Sequence, residues 1–135
     1  KLAQQTLDYD DLLLFWYYLV EDERIARDIS AHFDHILVDE YQDTNRLQAD
    51  IIRRLRPDGA GLTVVGDDAQ SIYGFRAAAV ENILDFPTQF PGTTVIKLED
   101  NYRSTQEILD TSNALMQDAT RSYQKALRAA VGFDA

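Results

Sequence analysis

An apolar run, Ile36-Leu37-Val38, passes directly into Asp39 and Glu40, with Gln42 and Asp43 close behind, in the segment HILVDEYQDTN. A second run, LTVV from Leu62 to Val65, ends in Gly66, Asp67 and Asp68. Ligands of open α/β sheets bind beyond the carboxyl ends of the strands, so Asp39 and Asp67 are expected at one rim. Asp39 suits Mg²⁺ there, directly or through water, because this hard cation takes oxygen ligands and keeps several waters when it escorts a phosphate chain. Glu40 then faces an attacking water as its base or orienter. The plainer alternative is that Asp39, Glu40 and Asp43 end a strand and cap the next helix, whose positive start favours Asp.

The elements that must position these carboxylates alternate between helical and extended patterns, which predicts an α/β fold with a mostly parallel sheet flanked by helices. From about Asp8 to Ser30, Leu12, Phe15, Trp16 and Leu19 recur at helical spacing as a core stripe, followed by a charged turn, EDERIARD. HILVD is a buried strand. Leu47, Ile51 and Leu55 mark a helix ended by Pro57 and Gly59. LTVVGD is a second strand, followed by the loop DDAQSIYGFR. Val80, Ile83 and Leu84 mark a short helix stopped by Pro87, and TTVIKL is a third strand. Ser104 and Glu107 have capping-box spacing before a helix with Ile108, Leu109, Leu115 and Met116 inside. The tail is expected to be helical, though weakly patterned.

Composition bounds the partners. The 135 residues suffice for one modest core or a piece of a larger domain. Without cysteine there are no disulfides or thiolate metal sites, and a reducing cytoplasm is compatible. The longest apolar run, Leu12 to Val20, is far below the roughly 20 residues needed to cross a bilayer, and no signal peptide is visible. A net charge of -10 argues against a general nucleic-acid-binding surface. The acidity is uneven: residues 1–45 carry 11 acids and 3 bases, the remainder 12 and 10. Any nucleic-acid contact is therefore sought after Asn45.

Three segments stand together in order: VDEYQDTN (Val38 to Asn45), VVGDDAQSIYGFRAA (Val64 to Ala78) and LEDNYRS (Leu98 to Ser104). They resemble motifs II, III and IV of superfamily 1 DNA helicases of the UvrD/Rep/PcrA type. The resemblance runs from about Leu7 almost to the end, yet covers only a middle slice of such a helicase. It implies a RecA-like P-loop NTPase fold, with residues 1–98 as the later part of the first motor domain and 99–135 as the start of the second. It also implies an ATP-dependent DNA helicase or translocase that couples Mg-ATP hydrolysis to movement along single-stranded DNA and unwinding at a duplex junction. Movement is expected to be 3′ to 5′, in repair or replication, and the location cytoplasmic.

Carried over residue by residue, the resemblance makes Asp39 the Mg²⁺ ligand and Glu40 the group that activates water. Gln70 resembles the glutamine that touches the γ-phosphate, a role suited to an amide that donates and accepts without adding charge. Arg103 resembles the arginine that clamps the γ-phosphate, where a guanidinium stabilises the charge developing in phosphoryl transfer; otherwise it pairs with Glu99 or Asp100. Tyr102 resembles the tyrosine that packs on adenine. In SIYGFR, Tyr73 and Phe75 offer stacking platforms with Arg76 beside them, as single-stranded nucleic acid requires. The resemblance assigns Phe75 to a DNA base, while Tyr73 stays open between DNA contact and packing.

The pattern is incomplete. No G-x-x-x-x-G-K-[ST] phosphate loop occurs in the chain, and the later helicase motifs are missing. The expectation is a fragment of a motor whose remainder, before Lys1 and after the tail, supplies them, and which alone neither hydrolyses ATP efficiently nor unwinds DNA. Ala77 stands where such helicases usually have Gly, and Ala69 lies in a variable pair. His32 and His35 lie at the far end of the first strand from Asp39, which argues against a shared metal site. Arg53 to Arg56 suit a helix carboxyl end better than DNA. Two other readings remain: a Mg²⁺-dependent phosphoesterase built on Asp39, Glu40, Asp67 and Asp68, and a catalytically dead DNA-binding or interaction scaffold.

Overall fold

The computed structural model describes residues 6–71, 79–117, 122–123 and 125–130. The chain divides into two compact units, Lys1–Thr93 and Thr94–Ala135.

In the first unit, α1 (Tyr9–Leu19) opens on a capping box in which Asp8 and Asp11 bond each other's backbone N–H. α2 (Glu23–Ser30) starts at Asp22, whose carboxylate accepts from the Arg24 N–H at 2.9 Å. The charged EDERIARD segment is therefore mostly helix, because Asp22 satisfies a free N–H of its first turn. The face of α1 also differs from the expected stripe. Leu13, Tyr17 and Val20 pack with Ala26, Ile29, Ile51 and Leu55, whereas Leu12, Phe15, Trp16 and Leu19 are exposed. The segment is apolar all round, so periodicity alone could not choose the buried side. Tyr17 chooses it: its ring lies under the Arg54 guanidinium at 4.7 Å and its hydroxyl accepts from Arg54 at 3.1 Å.

β1 (Ile36–Val38) and β2 (Leu62–Val64) form a parallel pair in the register Ile36↔Leu62, Leu37↔Thr63, Val38↔Val64. α3 (Arg46–Leu55) is the crossover between them and packs on α1 and α2. Its cap is Asn45, in a box with Gln48, and not Asp43. Asp43 instead ends a 3-10 turn, Tyr41–Asp43, that intervenes before the helix. α4 (Glu81–Leu84) is followed at once by α5 (Phe86–Gln89), in whose first turn Pro87 sits. Proline lacks an N–H that the first turn would leave unpaired, so Pro87 opens a helix as well as ending one. Phe86 meets Tyr41 edge-on at 5.5 Å and Phe90 at 4.7 Å, placing an aromatic cluster beneath the strand end.

In the second unit, β3 is only Asp100–Asn101, paired in parallel with β4 (Arg128–Ala129). The expected strand over TTVIKL is absent, and Val95, Ile96 and Leu98 are exposed. A β-branched run specifies a strand only when a partner edge pairs with it. α6 (Gln106–Gln117) buries Leu109 while Ile108 and Leu115 face outward. The Glu107 carboxyl is held below the ordinary range by its own N–H and then by the Thr105 side chain, rather than by Ser104. The described tail holds β4 rather than a helix. Asn113 fixes it by bonding both the N–H and the C=O of Leu127, each at 2.9 Å. No described helix is long and apolar enough to cross a membrane.

Candidate active site

Parallel pairing brings the carboxyl ends of β1 and β2 side by side, so Asp39 and Asp67 leave the same end of one sheet. The ladder continues one step past each strand: Val65 N–H donates to Val38 C=O at 2.8 Å and Tyr41 N–H to Val65 C=O at 2.9 Å. Between these bonds the chain turns sharply. Glu40 has φ +51°, the only positive φ among the described non-glycine residues. The left-handed region costs an L-residue roughly 1–2 kcal/mol, and such outliers persist where their surroundings over-determine them. The kink exposes the Asp39 and Glu40 side chains while Tyr41 and Gln42, each 1% exposed, are driven inward.

Each functional side chain has a definite setting. Asp39 Oδ1 accepts from the Glu40 N–H at 2.9 Å. Glu40 Oε2 accepts from Gln42 Nε2 at 2.7 Å, and Gln42 Oε1 accepts from the Asp67 N–H at 3.0 Å. Asp67 carries the next turn: Oδ1 accepts from the Ala69 N–H at 3.0 Å and Oδ2 from Gln70 Nε2 at 2.7 Å. Glu40 and Gln70, thirty positions apart, are thus the ends of one hydrogen-bonded route. Burial raises the Tyr41 phenol above its usual range.

Sequence reasoning missed Gln42, the buried amide at the middle of this route. It is the one amide among the acids from Asp39 to Asp43, and that oddity was the available signal. It missed Gly66 as well: a Cβ there would meet Gln42 Oε1 at 2.5 Å and Ile83 Cδ1 at 2.8 Å, so only glycine lets the two strand ends approach. Thr44 and Asn82 form a third junction, with the Thr44 C=O accepting from the Ala79 N–H at 3.1 Å and from Asn82 Nδ2 at 2.9 Å. The turn after β1 therefore grips the loop that follows β2 at its start and at its end.

Tyr73, Phe75, Arg76 and Ala77 lie outside the described residues. In the second unit Tyr102 is 71% exposed and Arg103 is exposed. Asn101 Oδ1 accepts from the N–H groups of both Arg103 and Ser104, at 2.9 and 2.8 Å, which fixes the turn presenting the two side chains. Asp100 is engaged by Arg128 at 2.6 Å and Glu99 by the Ala126 N–H at 2.8 Å. Among the described residues no three His, Asp or Glu side chains form a group able to hold a metal alone. A cation here would take an Asp39 oxygen and draw its other ligands from water or phosphate, as Mg²⁺ does. His32 donates through Nδ1 to the Asp28 C=O at 2.6 Å.

Comparison with known proteins gives consistent relatives. The chain is 47% identical over 122 residues to DNA helicase II of Escherichia coli K12, covering 90% of this chain and 17% of that protein. It is 40% identical over 134 residues to the ATP-dependent DNA helicase Rep of the same organism, covering 98% and 20%. With the ATP-dependent DNA helicase PcrA of Leuconostoc citreum it shares 42% over 127 residues, covering 91% and 17%. The chain thus spans a fifth or less of the length of these relatives. Residues 1–91, which hold the β1–β2 rim and its hydrogen-bonded turn, match the UvrD/REP helicase N-terminal domain, and to that family this chain belongs.

Proposed function

We propose that the chain is part of an ATP-dependent DNA helicase, the part that supplies the water-activating and phosphate-sensing groups for ATP hydrolysis and couples it to single-stranded DNA. The route from Glu40 through Gln42 and Asp67 to Gln70 carries this reading, in a chain 40–47% identical to DNA helicase II, Rep and PcrA. Residues 38–45, 64–78 and 98–104 act as helicase motifs II, III and IV of a RecA-like P-loop motor. Residues 1–98 belong to its first motor domain and 99–135 to its second. The phosphate loop and the later motifs come from the rest of the polypeptide, which works in the cytoplasm in DNA repair or replication.

Each residue then has a task. Asp39, exposed at the strand end with Oδ1 braced by the Glu40 N–H, fits Mg²⁺ as an oxygen ligand. When bound, Mg²⁺ neutralises phosphate charge. Glu40 commits Oε2 to Gln42, which leaves Oε1 to orient the attacking water and take its proton. Gln70 exchanges its bond to Asp67 for a γ-phosphate oxygen, so the loop senses whether that phosphate is present. Arg103 supplies positive charge to the same phosphate, and Tyr102 offers a flat face to adenine. Phe75, Tyr73 and Arg76, which follow Gln70 in the sequence, contact single-stranded DNA at the duplex junction by stacking and charge.

The test is ATP hydrolysis by the full-length protein with and without single-stranded DNA, beside its Glu40→Gln variant and the 135-residue chain alone. DNA is expected to raise the rate. Glu40→Gln should abolish turnover while sparing ATP binding, and the chain alone should be inactive. A full-length protein that is inert, or that hydrolyses ATP equally well without Glu40, would sink the reading.

A further inference from the structure

We propose that Gln42 is a positioning residue: it sets the Glu40 carboxylate and binds it to the loop beginning at Asp67, so that base and phosphate sensor move as one body. This rests on Glu40 being the base, as proposed above.

Gln42 is fully buried, yet both ends of its amide are used, Nε2 toward Glu40 at 2.7 Å and Oε1 from the Asp67 N–H at 3.0 Å. A primary amide of this length can donate to a carboxylate at one end while accepting from a backbone N–H 25 positions away at the other. The alternatives are worse at one end or both. A carboxylate would oppose Glu40, an apolar side chain would leave the Asp67 N–H bare, and a shorter amide could not span the gap.

The bond matters because Glu40 is exposed. A free glutamate side chain on the surface samples many rotamers, and ordering it has an entropic cost. A buried partner, itself fixed by Gly66 and by the Asp67 N–H, orders it in advance. Because Asp67 also closes the turn that carries Gln70, accepting from the Ala69 N–H at Oδ1 and from the Gln70 N–H at its C=O, each at 3.0 Å, a shift of that turn pulls on Glu40 through two hydrogen bonds and one short backbone segment. The alternative is that Gln42 merely joins two strand ends, in which case its loss lowers stability and nothing else.

The experiment uses the full-length protein and its Gln42→Met and Gln42→Asn variants. It measures DNA-stimulated kcat, KM for ATP, binding of a non-hydrolysable fluorescent ATP analogue, and thermal melting. Met conserves volume and removes the donor; Asn keeps a buried amide without its reach, and serves if Met does not fold. We expect kcat to fall about a hundredfold, the cost of an ångström of misplacement, with analogue affinity and KM unchanged within about twofold. A kcat that falls only with the folded fraction, or together with ATP affinity, would overturn the positioning role. The Glu40→Gln control keeps the two readings apart: if that variant still turns over, the base assignment fails, and this inference with it.

Discussion

Glu40 sits in a backbone conformation its side chain does not favour, and its neighbours hold it there. The Tyr41 N–H completes the ladder to Val65 on one side, and the buried Tyr41 ring anchors the turn against Phe86. Tyr41 therefore carries a pH dependence that can be signed. Burial raises its phenol in the folded state above the unfolded value of about 10. The stability this contributes is full below that value and is lost as pH rises through the folded one. Melting temperatures of the wild type should thus fall as pH rises above about 10, and the Tyr41→Phe variant should lose this part of the fall. Equal slopes in the two proteins would show that the phenol does not contribute. At this scale the sequence was informative about chemistry and blind to conformation. Asp39 and Glu40 stand out because two carboxylates end an apolar run, whereas the left-handed turn and the burial of Gln42 depend on strands that pair only in three dimensions.

At the scale of elements, strength of pattern decided what could be read. β1, α3 and β2 were visible because apolar runs and a clear amphipathic helix have short polar links between them. α1 was visible as a helix but not in orientation, since every turn of it carries apolar residues on several sides. TTVIKL had the composition of a strand and lacks a described partner to pair with. The cap of α3 moved by two positions, from Asp43 to Asn45, because the preferred residue had an equally competent neighbour. The Asn45 cap gives an element-level prediction. Asn45→Ala should cost about 1 kcal/mol locally, read as an approximately fivefold loss of hydrogen-exchange protection at the Gln48 amide, which now donates to Asn45 Oδ1. Unchanged protection would mean that the box with Gln48 is not what holds the first turn of α3.

At the scale of the whole molecule, the chain leaves much apolar surface uncovered. Leu12, Phe15 and Leu19 on α1, Leu37 on β1 and Ile96 are exposed, as is Trp16, the only tryptophan. Patches of this kind on a free chain invite association. The 135-residue chain expressed alone is expected to bind an apolar dye such as anilinonaphthalene sulfonate, to associate as its concentration rises, and to show Trp16 fluorescence open to acrylamide. Dye binding by the full-length protein as strong as that of the chain alone would count against this. The composition hinted at the surplus, since 45% of the residues are hydrophobic, but only the fold shows which of them find no neighbours. The route from Glu40 to Gln70 has a consequence in time as well as in space. Asp67 follows Gln42 by 25 residues, so a nascent chain growing at about 5–20 residues per second carries Gln42 for a few seconds before the N–H that fixes its amide exists. The turn after β1 is thus made unset, and gains the partner that fixes it only after the second strand has left the ribosome and paired with the first.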